Sequence, residues 1–118
     1  MPYIADRVQD TTSTVGAGAI TLDNLPPAGY QSFATGFGST CRVQYLIVNG
    51  SAWETGVGRF DIIANTIDRA KPQTSSSGNN IAITLVGSSK VYCTVTANFI
   101  DNANIGLIYA QSRGFAMP

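Results

Sequence analysis

Apolar and polar residues alternate with a period of two through much of this chain, the pattern of strands with one face more buried than the other. The clearest instance is Tyr45 to Gly58, YLIVNGSAWETGVG. Val43, Tyr45 and Ile47 alternate with Arg42, Gln44 and Leu46 ahead of an Asn49-Gly50 pair. Asn-Gly tolerates two successive positive φ angles, so the stretch predicts a β-hairpin with a two-residue type I′ turn at Asn49-Gly50. Gly56 and Gly58, on either side of Val57, mark a place where the strand bulges or another segment comes close.

The same reading extends along the chain. Ile4 to Gln9 predicts a short strand, and the polar run Asp10 to Thr14 an edge or an arm. Ala19 to Leu22 resumes the strand pattern, which Pro26-Pro27 ends. Tyr30, Phe33 and Phe37 fall at i, i+3 and i+7, which predicts one short helical turn held between glycines. Arg59 to Ala64 continues the hairpin, and Thr66 to Ala70 follows a turn at Asn65. Lys71 to Asn80, KPQTSSSGNN, has no apolar anchor and predicts a mobile surface loop. Ile81 to Val86 and Val91 to Thr96 alternate again and predict two strands joined by a tight turn at residues 87 to 90.

Short strands at this spacing predict an all-β fold, a small antiparallel β-sandwich or barrel with one short helical turn and an extended C-terminal tail. The core domain is expected over residues 1–97. Residues 98–118 set two apolar clusters in polar spacers, and an extension of that kind adds an edge strand or lies on a neighbouring subunit. Phe99, Ile100, Ile105, Leu107, Ile108, Tyr109 and Phe115 are its candidate interface residues.

Composition narrows the function. Only 12% of the 118 residues are charged, against roughly 25% in ordinary globular proteins. Seven basic residues balance seven acidic ones and are scattered along the sequence. No basic footprint for nucleic acid or an anionic membrane is therefore expected. With 44% hydrophobic residues, so weakly charged a chain reads as a subunit of an assembly, a homo-oligomer included, rather than a free monomer. The N-terminal segment MPYIADRVQD lacks the basic start and apolar run of a secretory signal, and no run of about 18 apolar residues predicts a membrane span.

The chain has no histidine, so a His-based acid, base or metal ligand is excluded. A catalytic alternative rests on carboxylates, with Asp6, Asp10, Glu54, Asp61 and Asp68 as candidates. Solvated or salt-bridged carboxylates are the expected fate of these, and no catalytic, cofactor-binding or metal-binding residue and no small-molecule substrate is assigned. Glu54 is expected on the strand face opposite Trp53, paired with Arg42 or Arg69. Cys41 and Cys93 read as small buried thiols in strands, with a disulfide within or between subunits as the alternative. Asn49-Gly50-Ser51 fits a glycosylation acceptor but is needed for the turn. Tyr45 and Trp53 pack in a core or subunit contact, or else form an aromatic platform for a sugar.

Several blocks in order resemble a small β domain of tailed-bacteriophage virion structural proteins. They are ADRVQDTTSTVGAGAITL (residues 5 to 22), AGYQSFATGFG (28 to 38), the hairpin, IDRA (67 to 70), TSSSGN (74 to 79) and KVYCTVTA (90 to 97). The stretch from Arg59 to Thr66 is more apolar than that pattern, and the chain after Ala97 has no counterpart in it. The resemblance implies a non-enzymatic virion component, a head decoration protein or a tail or neck accessory protein. It would be made in the cytoplasm of the host bacterium and would bind other virion proteins of the capsid, neck or tail. The alternative is a carbohydrate- or host-receptor-binding module of a tail fibre, with Tyr45 and Trp53 as sugar contacts.

Overall fold

A computed structural model describes residues 4–94, and these form one antiparallel sheet that curls until it is nearly closed into a barrel. Its strands are β1 (Gln9–Thr12), β2 (Ile20–Thr21), β3 (Cys41–Asn49), β4 (Ala52–Asp61), β5 (Thr66–Ile67), β6 (Lys71–Ser75) and β7 (Ser89–Cys93), with a single helix α1 (Phe33–Phe37) among the described residues. The order across the sheet is β1-β7-β3-β4-β5-β2, and β6 pairs with the stretch of β4 that β5 leaves free. The all-β expectation holds.

The β3–β4 hairpin is the frame. Its nine cross-strand pairs run from Asn49↔Ala52 to Cys41↔Phe60. Val43, Tyr45 and Ile47 face inward and are completely buried, as their alternation predicts. The turn itself sits one residue later than expected. Asn49 is the last residue of β3, and Gly50-Ser51 form the loop, with only Gly50 at positive φ (+62°). One left-handed residue, at the first central position, is the type II′ pattern rather than type I′. Asn49 is thereby free to tie the hairpin to the start of β7. Its amide nitrogen donates to the carbonyls of Val86 (2.7 Å) and Ser88 (3.3 Å) and to Ser89 Oγ (2.9 Å).

Two regions depart from the sequence expectation. Lys71–Ser75, read as loop, is strand β6, because β4 supplies a hydrogen-bonding edge that needs no apolar side chains in its partner. The register slips between Thr55↔Thr74 and Gly56↔Pro72, leaving Gln73 as a bulge. Pro72 and the bulge both interrupt β6 as a template for further pairing. Ile81 to Val86, read as a strand, forms no ladder. It makes one bridge, Gly16↔Leu85, and its alternation reflects only the inward burial of Ile83 and Leu85.

The ends of the sheet meet around β1 and β2. Thr12 Oγ1 donates to the Thr21 carbonyl (2.6 Å), Thr14 Oγ1 accepts from Thr21 N (3.0 Å), and Asp23 N donates to the Thr11 carbonyl (2.9 Å). Buried Asp10 holds this seam, its carboxylate accepting from the N–H groups of Thr11 (2.8 Å), Asn24 (2.9 Å) and Leu25 (2.9 Å). α1 starts at Ser32, whose hydroxyl accepts from Thr35 N (3.1 Å), and stops at Gly38. It lays Phe33 against Phe60 (5.8 Å between ring centres) and Phe37 (5.9 Å), so the helical turn adds an aromatic group to the core.

Candidate functional site

The most highly organised polar group of the described residues is inside the barrel. Glu54 stands opposite Ile47 on the inward face of the hairpin, on the other face from Trp53 as expected. Its partner is Arg69 rather than Arg42, and both side chains have zero exposure. Arg69 Nη2 donates to Glu54 Oε1 (2.6 Å) and Nε to Oε2 (3.2 Å), a two-point contact that suits the planar guanidinium. Tyr45 Oη donates to Glu54 Oε2 (2.6 Å), and Ile83 N to Oε1 (2.9 Å). The rest of the guanidinium serves three carbonyls: Gly16 (3.1 Å), Gly18 (3.1 Å) and Ile83 (2.6 Å).

Glu54 thus receives four donors and Arg69 makes five hydrogen bonds. No atom of the pair is left to meet a substrate, and the arrangement fastens segments 16–18 and 81–85, which have almost no ladder of their own, to the hairpin. Tyr45 is part of the same lock. Burial first, then the hydrogen bond to the Glu54 carboxylate and its charge, push the Tyr45 hydroxyl well above the ordinary tyrosine pKa. Close packing completes it. A Cβ at Gly56 would lie 2.6 Å from Tyr45 Oη and 2.7 Å from the Lys71 carbonyl oxygen, and one at Gly58 would strike the Asp68 carbonyl oxygen.

The other candidate carboxylates are engaged separately. Asp61 accepts from Ile63 N (2.9 Å) and Ala64 N (3.1 Å), and its carboxylate stands 3.5 Å from Arg59. The Ala64 N–H, then the Ile63 N–H and the Arg59 guanidinium, hold its carboxyl below the usual range. Asp68 accepts from Arg59 N (3.2 Å) and Ala70 N (3.4 Å), Asp10 serves the β1–β2 seam, and Asp6 is exposed. Among the described residues no group of three or more Asp, Glu or Cys is placed to hold a metal ion. Cys41 and Cys93 are free, half-buried thiols, and burial raises the pKa of both.

Tyr45 and Trp53 are not brought together. Tyr45 is completely buried on the core face, whereas Trp53 pairs with Val48 on the outer face and is 39% exposed. A shared aromatic platform is ruled out by that geometry. Phe99, Ile100, Ile105, Leu107, Ile108, Tyr109 and Phe115, with the whole proposed extension 98–118, lie outside the described residues.

Two surface features remain. At the hairpin end of the barrel stand four exposed apolar side chains, Val15 (63%), Trp53 (39%), Ile81 (49%) and Val86 (66%). The Gly16–Leu85 hydrogen bonds set Val15 beside Val86, and the bond from Asn49 to the Val86 carbonyl holds both near the turn. Ser76 is hydrogen-bonded to the backbone of Trp53, which brings up the 76–81 loop. On the outer face, where the free edge of β4 passes from its β6 pairing to its β5 pairing, lies a cleft of about 220 Å³ lined by Arg42, Val57, Gly58, Arg59, Asp68, Ala70 and Lys71. Comparison with protein-family models, curated proteins and solved structures found no match to the chain.

Proposed function

We propose that this chain is a non-enzymatic structural component of a tailed-bacteriophage virion, a head decoration or tail or neck accessory protein that binds other virion proteins and further copies of itself. The observation that carries this reading is the group of four exposed apolar side chains at the hairpin end, on a barrel whose buried polar groups are spent on holding its own segments together. Apolar side chains gathered at one end of a weakly charged domain favour a protein contact. The resemblance of residues 5–97 to the phage domain supplies the setting, and the apolar clusters of residues 98–118 offer a second contact. A sugar-binding role would have to use Trp53 without Tyr45, which is in the core.

The test is incorporation of a Val15→Ser/Val86→Ser variant into particles. Both side chains are more than half exposed, so the barrel keeps its circular-dichroism spectrum. The expected result is a folded protein missing from purified particles. Incorporation at wild-type occupancy overturns the hairpin-end contact.

A further inference from the structure

Arg42 and Arg59 are directly opposite one another in the β3–β4 ladder, on the outer face, and both are exposed. Cross-strand partners of this kind have Cβ atoms about 5 Å apart, and like charges so placed are destabilising. Lys71, paired with Val57 on the other side of β4, adds a third positive charge to the same cleft. Of the five described cationic residues other than buried Arg69 (Arg7, Arg42, Arg59, Lys71 and Lys90), three line this one cleft. In a chain of formal net charge zero, that concentration runs against the general balance.

The neighbouring acids neutralise it only in part, Asp61 by its ion pair with Arg59 and Asp68 from within the cleft. Asp61 sits beside Arg59 but also accepts from two backbone N–H groups, and Asp68 accepts from the N–H groups of Arg59 and Ala70. Among the described residues neither Arg42 nor Lys71 has an ion-pair partner. We infer that the Arg42–Arg59–Lys71 cleft receives a carboxylate-bearing segment of a partner protein, an Asp or Glu side chain inserted between the two guanidinium groups over Val57. This rests on the protein-assembly reading above and names the chemistry of one contact in it.

The guanidinium forks match a carboxylate at two points each, and the lysine contributes a point charge. A polynucleotide fits less well, because a continuous run of phosphates would meet Asp68 in the cleft and Asp61 beside it. A bound carboxylate also removes the cost of the Arg42–Arg59 juxtaposition, so the site is more comfortable filled than empty.

The test is a chemical-shift titration of the isotope-labelled full chain at low salt with three probes: N-acetyl-triglutamate amide, inorganic phosphate and a ten-residue oligothymidylate. The expected result is saturable movement of the amides of residues 42, 57–59 and 68–71 with the glutamyl peptide. Binding weakens about tenfold or more in Arg42→Gln/Arg59→Gln, while that variant's melting temperature is unchanged or raised. No saturation by about 10 mM peptide, equal affinity in the double variant, or tighter binding of phosphate or oligothymidylate overturns the inference. Peptide binding is read on the isolated chain and incorporation on the particle, so failure of the cleft and failure of the assembly reading are separate results.

Discussion

Replacing Arg69 by Met is the sharpest probe of what holds the barrel shut. The substitution keeps an unbranched side chain of moderate length and removes the guanidinium. Glu54 would then be a carboxylate of zero exposure with no opposite charge, a loss of about 3–5 kcal/mol in comparable buried pairs. Of the three carbonyls that Arg69 serves, Gly16 keeps the Leu85 N–H and Gly18 belongs to an exposed residue, so each retains a partner or access to water. The Ile83 carbonyl loses its donor, which adds about 1–3 kcal/mol. The total, about 4–8 kcal/mol, is a large part of the ~5–15 kcal/mol that stabilises a typical domain. Glu54→Gln is the milder partner variant, because it keeps the shape, removes the charge and points an NH₂ at donors that need an acceptor; it should cost about 3–5 kcal/mol. Urea unfolding followed by fluorescence of Trp53, the sole tryptophan, and by circular dichroism measures both, and the double variant closes the cycle. The expected coupling is about 2 kcal/mol or more. Single losses below about 1 kcal/mol, or additivity within about 0.5 kcal/mol, would refute the claim that this pair clamps segments 16–18 and 81–85 to the hairpin.

Other expectations follow from the same contacts. Tyr45→Phe removes one donor to Glu54 and should cost about 1–2 kcal/mol near neutral pH. The raised Tyr45 pKa stabilises the fold below the unfolded tyrosine value of about 10 and that contribution is lost as pH rises above it. Chemical unfolding at pH 7 and at pH 11 should therefore show the gap between wild type and Tyr45→Phe narrowing at the higher pH, and a constant gap would contradict the assignment. Gly58→Ala drives a methyl group into the Asp68 carbonyl and Ile67, and should cost about 1–3 kcal/mol in thermal denaturation, with weakened hydrogen-exchange protection at Ile67. Asp10→Ala frees three N–H groups at the β1–β2 seam, so the amides of Asn24 and Leu25 should exchange markedly faster; unchanged protection would mean that the seam is held elsewhere.

The sequence made the hairpin legible because a strand buried on one face writes its period directly into residue type. The shared Tyr45–Trp53 platform was incompatible with that same hairpin, since any two-residue loop pairs odd positions with even ones and puts the two rings on opposite faces. The same parity set Glu54 on the Tyr45 face, although the choice of Arg69 over Arg42 needed the fold. β6 was illegible for a physical reason: KPQTS is recruited by the backbone edge of β4, which leaves no hydrophobic signature. Ile81 to Val86 misled in the opposite direction, because its alternation marks burial of Ile83 and Leu85, while its polar backbone groups are partnered by Glu54, Arg69, Ser75, Asn49 and Gly16 rather than by a neighbouring ladder. The Arg42–Arg59 cleft depends on the hairpin register, and moving the turn from Asn49-Gly50 to Gly50-Ser51 is what sets the two arginines face to face.

The central claim is that this barrel works as a subunit held by other proteins in a phage particle. Quantitative mass spectrometry of purified virions measures that directly. Several copies of the chain per particle, retained through a wash that removes loosely bound protein, is the predicted result. Particles that are complete and infectious yet contain none of it would contradict the account.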